Sequence, residues 1–139
     1  MSDQAHIASL SDMVRFDEHG LIPAVVQDQR TNKVLTLCYL NQEALEKTLA
    51  TGFVHVMRPE QGRVMMKGEQ SGHRQRLDRI LIDCEGKSLL LRVHQSIAAC
   101  HKGYFSCYHR AYDLNHHHLR SVEDPVFDPY LVYRERDTS

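Results

Sequence analysis

Three pairs of short apolar runs, each pair joined by a turn-forming segment, constrain the fold of this chain more than any other feature. "LIPAVVQD" and "KVLTLCYL" flank the polar "DQRTN", "FVHVM" and "RVMMK" flank "RPEQG", and "RILIDC" and "SLLLRVHQ" flank "EGK". Short runs rich in Val, Leu and Ile, bounded by Gly, Pro, Asn or Asp, are the pattern of strands joined in hairpins. Between the first two pairs, "QEALEKTLAT" sets Ala44, Leu45, Thr48 and Leu49 on one side of a helix, with Asn41 placed to cap its start and Gly52 to end it. That helix is expected to cover one face of the sheet. The chain has 139 residues and no repeat, low-complexity segment or internal linker, which is the size of one domain whose core needs no covalent staples. The expectation is a compact α+β domain, strand-rich with few helices, over residues 15–139, after a flexible N-terminus at 1–14.

Charge narrows the partners. Lys and Arg number 17 against 18 Asp and Glu, for a net charge of -1, and no long run of one sign offers an arm for nucleic acid. A local phosphate pocket stays open as an idea. No window approaches the roughly 18 apolar residues of a membrane span, and "MSDQAHIASLSD" has neither a basic start nor an apolar run. A cytoplasmic protein with reduced thiols and no membrane partner is expected. Ten histidines favour metal or acid-base chemistry.

The spacing of Cys84, Cys100 and Cys107, C-x15-C-x6-C, is not the paired C-x2-C of a zinc ribbon. It leaves a metal site, a disulfide framework and three small buried hydrophobes all open. Context favours the metal. Cys84 ends a strand between Asp83 and Glu85, while Cys100 and Cys107 flank "HKGYFS", where Gly103 permits a tight return. Three thiolates so placed give zinc three ligands and leave the fourth position to water, as catalytic zinc requires. Cys38, inside "LTLCYLN", reads as a core residue of a strand.

From about Phe16 to Arg110 the segments "GLIPAVVQD", "LNQEALEKT", "KGEQSGH", "DC", "ACHKG" and "SCYHR" follow in order. In that combination, and more loosely through "DPVFDPYLVY", the chain resembles the phosphoribosyl-AMP cyclohydrolases of histidine biosynthesis. The resemblance implies an intertwined homodimer, with zinc held by Cys84, Cys100 and Cys107 and both subunits contributing. It also implies hydrolytic opening of the six-membered ring of an N1-substituted adenine nucleotide. In that reaction a metal-activated water attacks ring carbon C6, which N1 alkylation has made electrophilic, and the N1–C6 bond breaks. Three thiolates already offset the metal's charge, so the water benefits from a nearby base. His101, beside Cys100, is the first candidate and His73 in "SGHRQ" the second. Lys67 is a candidate to hold a phosphate or ring nitrogen and Glu69 to orient it or a water, while Arg58, Ser71 and Gly72 are candidates for substrate binding. The ordinary alternatives are structural histidines and a solvated hairpin surface.

Two departures qualify the resemblance. The family's D-C-D-x-D run, whose carboxylates bind magnesium, here reads Asp83, Cys84, Glu85, Gly86, Lys87. An ammonium in place of the third acid weakens an oxygen-ligand site, so magnesium is not expected, and Lys87 is expected to neutralise Asp83 and Glu85 instead. The family's W-S-R-S-R stretch here reads Met57, Arg58, Pro59, Glu60, Gln61, removing phosphate-binding forks and a stacking face. The leading expectation is a zinc-dependent cyclohydrolase acting on phosphoribosyl-AMP. The alternatives are a diverged paralogue opening another purine-like or cyclic amidine ring, and a noncatalytic zinc-stabilised dimer. "NHHHL", with His116 to His118, reads as a polar loop rather than a metal site.

Overall fold

The computed structural model describes residues 10–69, 71–96 and 103–126. Cys100, His101 and the aromatic residues Phe127, Tyr130 and Tyr133 lie outside the described residues. The expected hairpins are present. β1 (Ile22–Asp28) pairs antiparallel with β2 (Val34–Leu40), in register from Ile22 opposite Leu40 to Val26 opposite Thr36, with an irregularity after Val26. Asp28 closes the turn by accepting the Thr31 N–H at 2.9 Å and hydroxyl at 2.8 Å.

Asn41 caps α1 (Gln42–Thr51) through its Oδ1, which accepts the Ala44 N–H at 2.8 Å. At the other end Gly52 takes φ 81°, and its N–H bonds to the Thr48 carbonyl, a left-handed cap that suits glycine. Ala44, Leu45 and Thr48 are wholly buried, and covering Leu45 contributes about 2 kcal/mol relative to leaving it in water. The Thr48 hydroxyl donates to Ala44 and accepts the His55 N–H at 2.9 Å. This ties the helix to the next strand.

β3 (His55–Arg58) and β4 (Arg63–Met66) form a separate hairpin. β5 (Gln75–Ile82) and β6 (Leu89–Gln95) form the third expected pair, and β6 also runs parallel to β1, giving a four-stranded sheet in the order β2-β1-β6-β5. Alternation sends Ile22, Ala24, Val26, Leu89, Leu91 and Val93 into one core with Leu35, Leu40, Val54 and Val56. α1 packs on β2, β3 and β4 over that core. The architecture is the expected strand-rich α+β one.

Three details add to the sequence reading. β5 begins at Gln75 rather than Arg79, because the polar residues Gln75, Arg76 and Asp78 mask the strand. Gln75 is nonetheless fully buried, and its amide donates to Gln95 at 2.7 Å. The region of His116 to His118 is a hairpin turn between β7 (Arg110–Asp113) and β8 (His118–Ser121), with His117 at φ 56°. Asp113 holds the turn through the Asn115 and His116 N–H groups. Residues 10–13 are helical and Val14 is buried, so ordered structure starts before residue 15. No helix among the described residues is long and apolar enough to cross a membrane.

Candidate functional site

A groove of about 290 Å³ runs between β2 and the β3–β4 hairpin and gathers Arg58, Lys67 and Cys107, with Cys38, Tyr39 and Glu60 on its walls. Each of the first three is placed by local structure. Arg58 is the last residue of β3. Lys67 follows β4, and its N–H bonds to the Val54 carbonyl at 2.8 Å. The next residue, Gly68, has φ +82°, and a Cβ there would lie 2.4 Å from the His73 carbonyl oxygen, so only glycine lets the loop close behind Lys67. Cys107 is held on the free edge of β2, where its N–H donates to Leu35 at 2.7 Å, beside the buried Ser106 hydroxyl donating to Val34 at 2.6 Å. Lys33 and Glu123, in contact at 2.6 Å, strap the same edge.

Among the described residues the groove carries two cations, Arg58 and Lys67, and one carboxylate, Glu60. Burial pushes the Cys38 thiol up to about 12, against the opposing pull of the Lys67 and Arg58 charges. Cys38 is therefore a neutral thiol at working pH and no nucleophile, while the two cations project their field across the groove. Glu60 approaches Arg58 at 3.8 Å at the exposed rim.

Other candidate residues from the same loop take different places. Glu69 is in an ion pair with Arg63 at 2.9 Å. Ser71 accepts the His73 N–H at 3.2 Å, a turn contact. His73 is 9% exposed and lines neither groove, and its carbonyl accepts from Gln95. Gly72 lines a second groove along β5. Cys38 and Glu60 were not among the expected site residues, since only the packing of β3 beside β2 brings them to this wall.

Residues 36–109 match the sequence profile of the family described as phosphoribosyl-AMP cyclohydrolase. The chain belongs to that family. It is 42% identical over 122 residues to the phosphoribosyl-AMP cyclohydrolase of Methanococcoides burtonii, covering 88% of this chain and 97% of that one. It is 44% identical over 113 residues to the phosphoribosyl-AMP cyclohydrolase of Methanothermobacter thermautotrophicus, covering 81% of this chain and 82% of the relative. The histidine biosynthesis bifunctional protein HisIE of Thermoanaerobacter pseudethanolicus is 42% identical over 120 residues, which span 86% of this chain and only 55% of that longer protein.

In this family member the Asp83–Lys87 turn is occupied by its own bonds. Asp83 accepts the Glu85 N–H at 3.0 Å, the Lys87 N–H at 2.9 Å and the Ser88 hydroxyl at 2.5 Å. These bonds, the one from Ser88 first, hold its carboxyl below the usual carboxylate range. The Lys87 ammonium sits 3.2 Å from Glu85. Both carboxylates are thus engaged in a turn that carries its own cation, a poor fit to magnesium, which demands near-octahedral oxygen ligands.

No disulfide joins Cys38, Cys84 or Cys107 among the described residues. Cys84 is exposed on the turn after β5, and Cys107 lies against β2. These are the opposite edges of the sheet, with β6 and β1 between them. Three strand spacings amount to roughly 14 Å, far more than two Zn–S bonds of about 2.3 Å can bridge. Among the described residues of one chain, no three His, Cys, Asp or Glu side chains are grouped to hold a metal. The thiol chemistry suits zinc, but Cys84 and Cys107 are not brought together within the described residues of one chain.

Proposed function

We propose that this chain is a zinc-dependent cyclohydrolase that opens the adenine ring of phosphoribosyl-AMP at the N1–C6 bond, working as a homodimer. The observation that carries the reading is the convergence of Arg58 and Lys67 from one hairpin with Cys107, some forty residues further along the chain, on one groove in a member of this family. The separation of Cys84 from Cys107 across the sheet supports a site completed by a second copy, Cys84 coming from one protomer and Cys107 from the other. The outer sheet face supports the same reading. Its Leu37, Tyr39 and Leu81 are 45%, 43% and 36% exposed, apolar surface of the kind that marks an interface.

Zinc bound by Cys84, Cys100 and Cys107 would supply Lewis acidity and lower the pKa of a water molecule. The chain's own residues do the rest. Lys67 and Arg58 attract the anionic nucleotide and fix its orientation in the groove. The neutral Cys38 thiol keeps that wall uncharged. His101, assigned from its place beside Cys100 in the chain, takes the proton of the attacking water. In the balanced reaction, water oxygen adds to C6, the N1–C6 bond breaks, N1 takes up a proton, and C6 with its exocyclic amine becomes a carboxamide.

A second reading is favoured by Glu60, whose carboxylate lies 3.8 Å from Arg58 at the rim. A carboxylate there opposes a phosphate on Arg58, as it would if the substrate were a related cyclic amidine carrying fewer phosphates. One experiment separates the two: ultraviolet absorbance of phosphoribosyl-AMP incubated with zinc-loaded protein, with and without magnesium. Ring opening at an enzymatic rate without magnesium is expected. No turnover by folded, zinc-loaded protein would reject the first reading and favour the second.

A further inference from the structure

The second groove, of about 350 Å³, lies on the opposite edge of the sheet from the first and is lined by Phe53, Gly72, Arg74, Arg76, His94 and Ser96 among others. Its shape follows from strand alternation. Gln75 begins β5 with its side chain fully buried, so its neighbours Arg74 and Arg76 emerge together on the other face. The bond from the Ser96 N–H to the Arg74 carbonyl, at 3.0 Å, continues the β5–β6 ladder and fixes Arg74 beside Arg76. His94 stands directly opposite Arg76 in the register. The segment of Phe53 bridges to Arg76 from the other side and makes the second wall.

Among the described residues this groove sets Arg74, Arg76 and His94 against one nearby carboxylate, Asp78. Arg74 lies over the Phe53 ring, 5.8 Å from its centroid. Asp78 approaches His94 at 3.5 Å. Among the described residues neither Arg74 nor Arg76 is paired with a carboxylate. Two guanidiniums two residues apart on one strand face repel each other, and a dianion between them relieves that repulsion while accepting charge-assisted bonds from both forks. A phosphate monoester has that charge and those acceptors. The groove is larger than a phosphate, and the Phe53 ring, the Ser96 hydroxyl and the side-chain-free Gly72 at φ 78° leave room for an attached sugar.

We propose that the Arg74–Arg76–His94 groove binds the phosphate of a sugar phosphate, at a place separate from the Arg58–Lys67 groove. Binding there requires neither zinc nor turnover. The test uses the full chain and ribose 5-phosphate as the probe, with ribose as the control, followed by calorimetry at low and physiological salt. Wild-type protein is expected to bind ribose 5-phosphate and not ribose. Arg76→Gln should weaken binding about tenfold, and Arg74→Gln with Arg76→Gln together about a hundredfold, as expected for losing one or two charge-assisted contacts. Both arginines are exposed, so the melting temperature should hold and show that the variants fold. Arg58→Gln and Lys67→Gln should leave this binding within about twofold of wild type. Unchanged binding in the double variant would overturn the proposal, as would a loss reproduced by the Arg58 and Lys67 changes. Where turnover of phosphoribosyl-AMP is observed, a raised KM with unchanged kcat in Arg76→Gln identifies the phosphate as the substrate's own. An unchanged KM, with rate altered noncompetitively by ribose 5-phosphate, identifies a separate ligand of the same groove.

Discussion

The two faces of the four-stranded sheet are finished in different ways. On the inner face Ile22, Ala24, Val26, Leu91 and Val93 are fully buried and meet α1 and the β3–β4 hairpin of the same chain. On the outer face Leu37, Tyr39 and Leu81 keep more than a third of their surface in water, and the thiols Cys107 and Cys84 lie at the opposite edges of the sheet. The inner face is a folding device that one chain completes. The outer face is the one that the proposed second copy would cover.

Substitutions on the two faces should therefore fail differently. Leu91→Ala opens a cavity in the inner core and should cost about 3 kcal/mol of unfolding free energy in urea titration; a loss below about 1 kcal/mol would mean that the face is not the core. Leu37→Asp on the outer face should leave the unfolding free energy of the single chain within about 1 kcal/mol while shifting the protein to a monomer in sedimentation. If it unfolds the chain as Leu91→Ala does, the contrast between the faces collapses.

Two smaller effects sharpen the inner side. Asn41→Ala removes the acceptor for the Ala44 N–H and should cost about 1 kcal/mol in the same titration; no loss would show that the cap is idle. Asp28 is 3% exposed. Burial opposes its ionisation, but the Thr31 hydroxyl and N–H bonds outweigh that and hold its pKa below the ordinary value. A depressed folded-state pKa gives stability that is present above the unfolded value of about 3.9 and lost as pH falls through the folded value. Thermal melts below about pH 4 should thus fall less steeply for Asp28→Asn than for wild type, and parallel profiles would remove Asp28 from the acid response.

Much of the inner side was legible from local chemistry. Period-two burial in β1 and β6, the Asn41 cap and the Gly52 stop are properties of neighbouring residues. β5 was legible only in part, because Gln75 is buried through a partner twenty residues away that no local pattern reveals. Only "NHHHL" was read, as a polar loop, and the β7–β8 strands on either side of it went unread, since their burial pattern carries no apolar face. The site was legible in composition and not in placement. Arg58, Lys67 and Cys107 were all candidates, yet their common groove depends on β3 lying beside β2. The Arg74–Arg76–His94 groove depends on a strand register that the sequence does not state.

The most direct test of the account mixes two defective proteins. Cys84→Ala and Cys107→Ala chains, each purified alone, should hold almost no zinc. If each site takes Cys84 from one copy and Cys107 from the other, unfolding and refolding them together makes half of the dimers mixed, each with one intact site. Zinc content should then recover to about one quarter of the wild-type value, as random pairing in a two-fold dimer requires. A mixture that stays as empty as its parents would contradict the shared site.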